Sequence, residues 1–222
     1  MRNKNHGGDL KKMNKTFYII DDHEMLRLGT ASYIENASKN QGESWTCTGT
    51  SGDHEKAFSD LENFAKAGNL PALIISDLNF YGEDTGFELV KKIHTLYPQL
   101  KIIVYSMFFA PGIVENAIQN GASGYVSKNA SSDELLLCME KVFSGEIYIQ
   151  NELVQNLEKF NSFTDALTRR EKDVMNLLLR HFSNDEIAEA LNIKKRAVEN
   201  YISAIYEKTS INDKAELIKR FG

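Results

Sequence analysis

From Thr16 onward, short apolar runs alternate with stretches whose apolar residues recur at helical spacing. The runs are Phe17-Tyr18-Ile19-Ile20, Trp45-Thr46-Cys47-Thr48, Ala72-Leu73-Ile74-Ile75, Ile102-Ile103-Val104-Tyr105 and Gly124-Tyr125-Val126, and they predict five strands. Between them lie Phe87, Leu89, Val90, Ile93 and Leu96, and later Leu135, Leu136, Met139 and Val142, at the i, i+3, i+4 spacing of helices that bury one side. Strands that are apolar at every position have no solvated face. Such alternation therefore predicts a parallel sheet covered by helices on both sides.

The pattern fades after Gly145, and the polar stretch from Gln150 to Ser162 reads as a linker, helical in part. No strand is predicted beyond it. Thr168-Arg169-Arg170-Glu171 and Ser183-Asn184-Asp185-Glu186 each place a hydroxyl three residues before a glutamate, the capping box that satisfies free amides at a helix start. Four short helices follow. The second, about Ser183 to Leu191, is expected to turn Ile187, Ala190 and Leu191 to a core, with Asn192 at a left-handed turn. The third, Lys194 to Lys208, buries Val198, Tyr201, Ile202 and Ile205 and leaves Lys195, Arg196, Glu199, Asn200, Ser203 and Lys208 outside. The predicted organisation is a disordered leader over 1–15, an α/β domain over 16–145, a linker over 146–163 and a small all-α domain over 164–222.

Charge adds a constraint. The chain of 222 residues has a formal net charge of −5, but residues 1–162 hold 15 Lys+Arg against 21 Asp+Glu, whereas 163–222 hold 11 against 10. The deficit lies in the first domain, so the second can still present a local basic face to nucleic acid. No apolar run approaches the roughly 18 residues of a membrane span, and no secretory signal is apparent. The expected location is the cytoplasm. Cys47 and Cys138 have no metal-binding spacing and are expected to act as small core hydrophobes.

All strands of a parallel sheet end on one edge, where open α/β folds bind ligands. The residues after the strands therefore converge: Asp21 and Asp22, then Asp77, Ser106 and Lys128. A lone Asp after a strand is commonly a turn residue, but suitable groups at four strand ends together make a site. Clustered carboxylates imply a hard cation such as Mg²⁺. Beside it, Asp77 can attack a phosphoryl donor to give an aspartyl phosphate, with Lys128 and Ser106 supplying charge and a hydrogen bond. Asp22, helped by Asp21, and the backbone carbonyl of Asn79 complete the expected metal ligands with Asp77.

Ile19-Ile20-Asp21-Asp22-His23, Ile75-Ser76-Asp77-Leu78, Val104-Tyr105-Ser106 and Gly121-Ala122-Ser123-Gly124-Tyr125-Val126-Ser127-Lys128 resemble the receiver domain of two-component response regulators. The resemblance implies a flavodoxin-like sheet of order 2-1-3-4-5 and phosphorylation of Asp77 by a sensor histidine kinase. It also implies that Ser106 and Tyr125 act as the switch pair. Beyond self-phosphorylation and self-dephosphorylation at Asp77, no enzyme activity is expected. Where the family usually has Met-Pro and then Asp-Gly, this chain reads Asn79-Phe80-Tyr81-Gly82-Glu83-Asp84-Thr85-Gly86, one residue longer. Met107 stands where the family often has a smaller residue.

The exposed side of the third helix carries groups that hold phosphates or read bases: Lys194, Lys195, Arg196, Glu199, Asn200, Ser203 and Lys208. Leu167 to Phe221 resembles the LuxR-type helix-turn-helix of the NarL/FixJ response regulators, through Leu167-Thr168-Arg169-Arg170-Glu171, Leu191-Asn192-Ile193 and Val198-Glu199-Asn200-Tyr201-Ile202-Ser203. Lys194, Ala197 and Tyr201 replace the family's usual Ser, Thr and His. The resemblance implies DNA as ligand and a homodimer when active, with the last helix, about Asp213 to Phe221, offering Leu217 and Ile218 either to a partner or to its own core. Two rival functions are a regulator whose receiver serves only dimerisation and a phosphohydrolase using Asp77. The second lacks an acid two residues after Asp77, where Asn79 stands.

Overall fold

The computed structural model describes residues 15–40, 44–80 and 85–221; the predicted leader, 1–14 within it, and the loop residues Tyr81 to Asp84 lie outside the described residues. The chain runs β1 (Thr16–Ile20), α1 (Glu24–Asn40), β2 (Thr46–Ser51), α2 (His54–Lys66), β3 (Leu73–Ser76), α3 (Gly86–Leu96), β4 (Lys101–Ser106), α4 (Pro111–Gln119), β5 (Gly124–Ser127) and α5 (Ser132–Phe143). It continues through β6 (Tyr148–Ile149), α6 (Asn151–Thr164), α7 (Arg169–Leu179), α8 (Asn184–Ala190), α9 (Lys195–Thr209) and α10 (Lys214–Phe221).

The sheet is parallel, in the order β2-β1-β3-β4-β5-β6. Side chains alternate across a strand, and here both faces are apolar. Tyr18, Ile20, Ile74, Ile102, Val104 and Tyr125 pack against α2, α3 and α4, while Phe17, Ile19, Leu73, Ile75, Ile103 and Val126 pack against α1 and α5. The strand order explains the placement of α1 to α4. β1 to β2 steps one way and β2 to β3, β4 and β5 steps the other, so right-handed connections put α1 on one face and α2, α3 and α4 on the opposite one.

The sixth strand was not expected. Tyr148 and Ile149 are two residues long and half-buried, too short to give a period, and their pairing with Gly124 and Tyr125 is set by tertiary contact. The segment read as a linker holds this strand and most of α6. Leu153 and Leu157 of α6 pack in the core with α4, whereas Phe160 and Phe163 pack in the helical core farther along the chain. The helix therefore has one end in each core.

α7 to α10 surround Val174, Met175, Leu178, Ile187, Val198, Ile205, Ile211 and Leu217. Both capping boxes form: Thr168 and Glu171 start α7, and Ser183 and Glu186 start α8. Asn192 is left-handed with φ 50°, as the turn requires, and Ser210 at the end of α9 has φ 56°. Ala190 departs from expectation. It is exposed, and Ala188 packs on the core in its place, because only about two turns of α8 form and its buried side is centred on Ile187. Leu217 is fully buried in this core, so it is not available to a dimer face in this arrangement. Cys138 is buried and Cys47 only half-buried; both are free thiols.

One glycine fixes the loop beside the strand edge. A methyl group on Gly86 would overlap the backbone of Leu78, and the Gly86 amide donates to the Leu78 carbonyl at 3.0 Å, so the loop closes on itself there whatever its length. Backbone cannot yield as a side chain can. Gly86→Ala is expected to lower stability by about 2 kcal/mol in urea unfolding; an unchanged midpoint would refute this close approach.

Candidate phosphoacceptor site and helix-turn-helix surface

β1 and β3 are neighbours in register, with Ile20 opposite Ser76, so the residues that follow them emerge side by side. The Asp77 amide donates to the Ile20 carbonyl at 2.9 Å, and the Asp21 amide to Ser51 at 3.0 Å. Both carboxylates are thereby fixed at the strand edge, where they are buried at 5% and 3% exposure. Asp77 Oδ1 accepts from the Leu78 amide at 2.6 Å.

Two buried negative charges need compensation, and it comes from across the sheet. Lys128, at the end of β5, reaches over β4 and places Nζ 2.5 Å from Asp77 Oδ2 and 2.7 Å from Asp21 Oδ2. Its own amide is anchored on the Ser106 carbonyl at 2.8 Å. Burial works against the Lys128 charge, but the bonds to Asp21 and Asp77 outweigh it and hold its pKa above the usual 10.5. Asp22 is less buried than Asp21.

Asp21, Asp22 and His23 bring donor atoms within 4.8 Å of one another, with His23 Nδ1 2.7 Å from Asp22 Oδ1. His23 was absent from the expected ligands, although it stands in the same motif; its largely exposed ring gives no hydrophobic signal. Carboxylates dominate this set, which suits a hard, oxygen-loving cation such as Mg²⁺.

Ser106 is fully buried, and its hydroxyl accepts from the Phe108 amide at 3.4 Å. The Tyr125 hydroxyl donates to the Phe108 carbonyl. Ser106 and Tyr125, the expected switch pair, thus meet on one peptide segment, between β4 and α4. Burial, with the nearby Asp77 charge, pushes the Tyr125 phenol far above its ordinary range, so it remains a donor. Met107, Phe108 and Phe109 are exposed at this loop. α4 in turn meets the helical domain: Gly112 lies so close to Asn176 of α7 that a methyl group would overlap the amide. The Arg180 guanidinium sits 5.4 Å from the Phe87 ring centre.

On α9, Lys195, Arg196, Glu199, Asn200, Ser203 and Lys208 are all exposed, while Val198 and Ile205 are fully buried. Several of the expected DNA contacts are engaged within the chain, among them Ser203, whose hydroxyl donates to the Glu199 carbonyl at 3.0 Å. Lys195 pairs with Asp185 at 2.8 Å, an exposed bond that a phosphate can replace. Lys208 bonds both oxygens of buried Glu171 at 2.7 and 2.8 Å. Because Glu171 also caps α7, Lys208 is a structural tie between α7 and α9. Sequence spacing cannot reveal this, since the partners are 37 residues apart. Lys194 caps α9 without a side-chain bond, consistent with the loss of the usual Ser.

The raised Lys128 pKa has a definite sign: its contribution to stability is complete below the ordinary lysine value and is lost as pH rises through the elevated one. Relative to wild type, Lys128→Met is expected to lose on the order of 3 kcal/mol at neutral pH in metal-free buffer, with the gap narrowing in alkaline solution. A gap independent of pH, measured by denaturant unfolding, would contradict the charge-bridge account.

Residues 17–140 match the response regulator receiver domain, and residues 165–221 match the bacterial regulatory proteins of the luxR family. The chain is 27% identical to the oxygen regulatory protein NreC of Staphylococcus aureus, over 90% of this chain and 94% of that one. Among solved structures, a complex of the two-component response regulator RcsB with DNA has a TM-score of 0.64 at 22% identity, covering 93% of this chain and 97% of that one. RcsB from Salmonella enterica serovar Typhimurium, bound to a promoter in the presence of the phosphomimetic BeF3−, has a TM-score of 0.63 at 24% identity, covering 93% and 98%. The chain belongs to the response regulators, joining a receiver domain to a LuxR-type DNA-binding domain.

Proposed function

We propose that this response regulator is switched by transfer of a phosphoryl group from a sensor histidine kinase to Asp77, and that the transfer controls dimerisation and sequence-specific DNA binding through α9. The observation that carries the reading is the Lys128 ammonium lying between the carboxylates of Asp77 and Asp21. One buried cation thus lies beside the assigned acceptor and beside the acidic pocket. The reading assigns 16–145 to the receiver, 146–163 to the connection and 164–222 to the DNA-binding domain.

Asp77 Oδ attacks phosphorus as the bond from phosphorus to the kinase imidazole nitrogen breaks. Asp21, Asp22, Asp77 and the Asn79 carbonyl are assigned to Mg²⁺, which when bound supplies positive charge to the phosphoryl oxygens. Lys128 then exchanges one carboxylate oxygen for a phosphoryl oxygen, and the Ser106 hydroxyl turns from the Phe108 amide to the same group. This change leaves Phe108 held by Tyr125 alone, so the segment leading into α4 is free to shift. The output follows from the α4 contact: displacement of Gly112 alters its packing on Asn176, and a population of domain arrangements competent for DNA is favoured.

Arg196, Asn200 and Ser203 are assigned to DNA, joined by Lys194, Lys195 and Glu199. The α9 start also offers free amides to a phosphate. A single such helix discriminates weakly among genomic sites, which favours action as a homodimer. RcsB bound to a promoter with a phosphomimetic is a parallel for coupling these two events. Among the described residues no helix is long and apolar enough to cross a membrane, and the reading places the regulator in the cytoplasm.

The direct test uses DNA selected by this protein from a random pool. Mg²⁺ with BeF3− is expected to tighten wild-type binding about tenfold and to leave Asp77→Asn unaffected. An equal response in both, or none in wild type, would favour a receiver that serves dimerisation without phosphorylation. Separately, Arg196→Ala is expected to weaken binding by about 2 kcal/mol while thermal unfolding is unchanged; unaltered affinity in a gel-shift titration would remove Arg196 from the interface.

A further inference from the structure

Gln150 occupies the junction at which the sheet gives way to α6, and every polar group it has at that junction is engaged. Its backbone amide donates to the Tyr125 carbonyl at 3.0 Å, continuing the β5–β6 ladder. Its backbone carbonyl accepts from Leu153 at 2.8 Å and Val154 at 3.1 Å, opening α6. Its side-chain oxygen accepts from the Ser127 amide at 3.0 Å in a buried bond. β6 has ended by this point, so no backbone carbonyl remains to pair with Ser127. The glutamine side chain supplies the missing rung.

The residues held by this rung are those of the switch. Tyr125 lies on one side of Ser127 in the strand, and Lys128 follows directly. Ser127 is otherwise complete, with its hydroxyl accepting from Asn129 at 3.2 Å and its carbonyl from Ala130 at 3.0 Å. The Lys128 backbone thus has two anchors nearby, the Ser106 carbonyl and, through Ser127, Gln150.

From Gln150 the helix runs 14 residues, about 21 Å at 1.5 Å per residue. Leu153 and Leu157 are seated in the receiver core, and Phe160 and Phe163 in the core of the helix-turn-helix. A helix anchored in two cores transmits displacement of one to the other. Gln155 and Asn156, midway along it, are exposed.

We infer that Gln150 is a positioning residue that ties the Lys128 end of β5 to α6, making α6 a second route, beside α4, by which occupancy of the Asp77 site reaches the DNA-binding domain. The inference rests on the phosphorylation reading above and adds to it. A simple flexible tether would need neither the buried Ser127 bond nor anchoring residues in both cores.

The test measures, on the full-length protein, the ratio of DNA affinities with and without BeF3− and Mg²⁺. If wild type responds about tenfold, Gln150→Met, which keeps length and removes the acceptor, is expected to respond less than about threefold, with DNA affinity in the absence of BeF3− unchanged. A glutamine that only stabilised the fold would lower the unfolding midpoint and leave the ratio intact. The double variant Gln155→Gly with Asn156→Gly softens the helix without touching the junction and is expected to reduce the ratio likewise. Hydrogen exchange on wild type gives a readout free of substitutions: BeF3− should change the protection of the Ser127 and Leu153 amides.

A full tenfold response in Gln150→Met and in the glycine pair, or unchanged protection at both amides while DNA affinity rises, would overturn the inference and leave the phosphorylation reading standing. A wild-type protein that does not respond would overturn both.

Discussion

Two buried carboxylates, Asp21 and Asp77, sit side by side at the sheet edge, and one ammonium from the end of β5 holds them there. This arrangement depends on the rest of the fold. It needs a parallel sheet, so that β1, β3 and β5 end together, and a buried edge, so that the charges interact strongly. Lys128 must also be placed by its backbone, because a long flexible side chain approaching from solvent would be screened and mobile. The Ser106 carbonyl does this directly. A site assembled in this way suits the proposed exchange, since a dianionic group on Asp77 would compete for the cation that now bridges the pair.

Much of the architecture was legible because both strand faces are covered. Continuous apolar runs located the strands, and Asp21, Asp22, Asp77, Ser106 and Lys128 were placed by the single rule that parallel strands end on one edge. The capping pairs Thr168 with Glu171 and Ser183 with Glu186 marked α7 and α8 for a local reason: hydroxyl and carboxylate are three residues apart and satisfy each other's backbone.

What escaped the sequence depends on partners distant along the chain. β6 has too few residues for a period and exists because β5 offers an open edge. Gln150 gave no motif, since its role comes from a rung missing on the neighbouring strand. Lys208 resembled the other basic groups of α9, yet buried Glu171 holds it against α7. Ala190 was assigned inward from helical spacing alone; with so few turns, a rotation of one residue is enough to exchange it with Ala188. α6 was legible only as a partly helical linker, because its apolar positions, Leu153, Leu157 and Phe160, serve two different cores in succession.

The central claim, that the charge bridge marks Asp77 as the acceptor, is tested most directly by intact-protein mass measurement after incubation with Mg²⁺ and a small phosphoryl donor. The acyl phosphate would be trapped by borohydride reduction and located by peptide mapping. The account predicts the mass gain of one phosphoryl group, abolished by chelation of the metal, and a reduced residue at position 77. A protein that remains folded, binds Mg²⁺ and gains no mass, or carries the modification at another carboxylate, would contradict it.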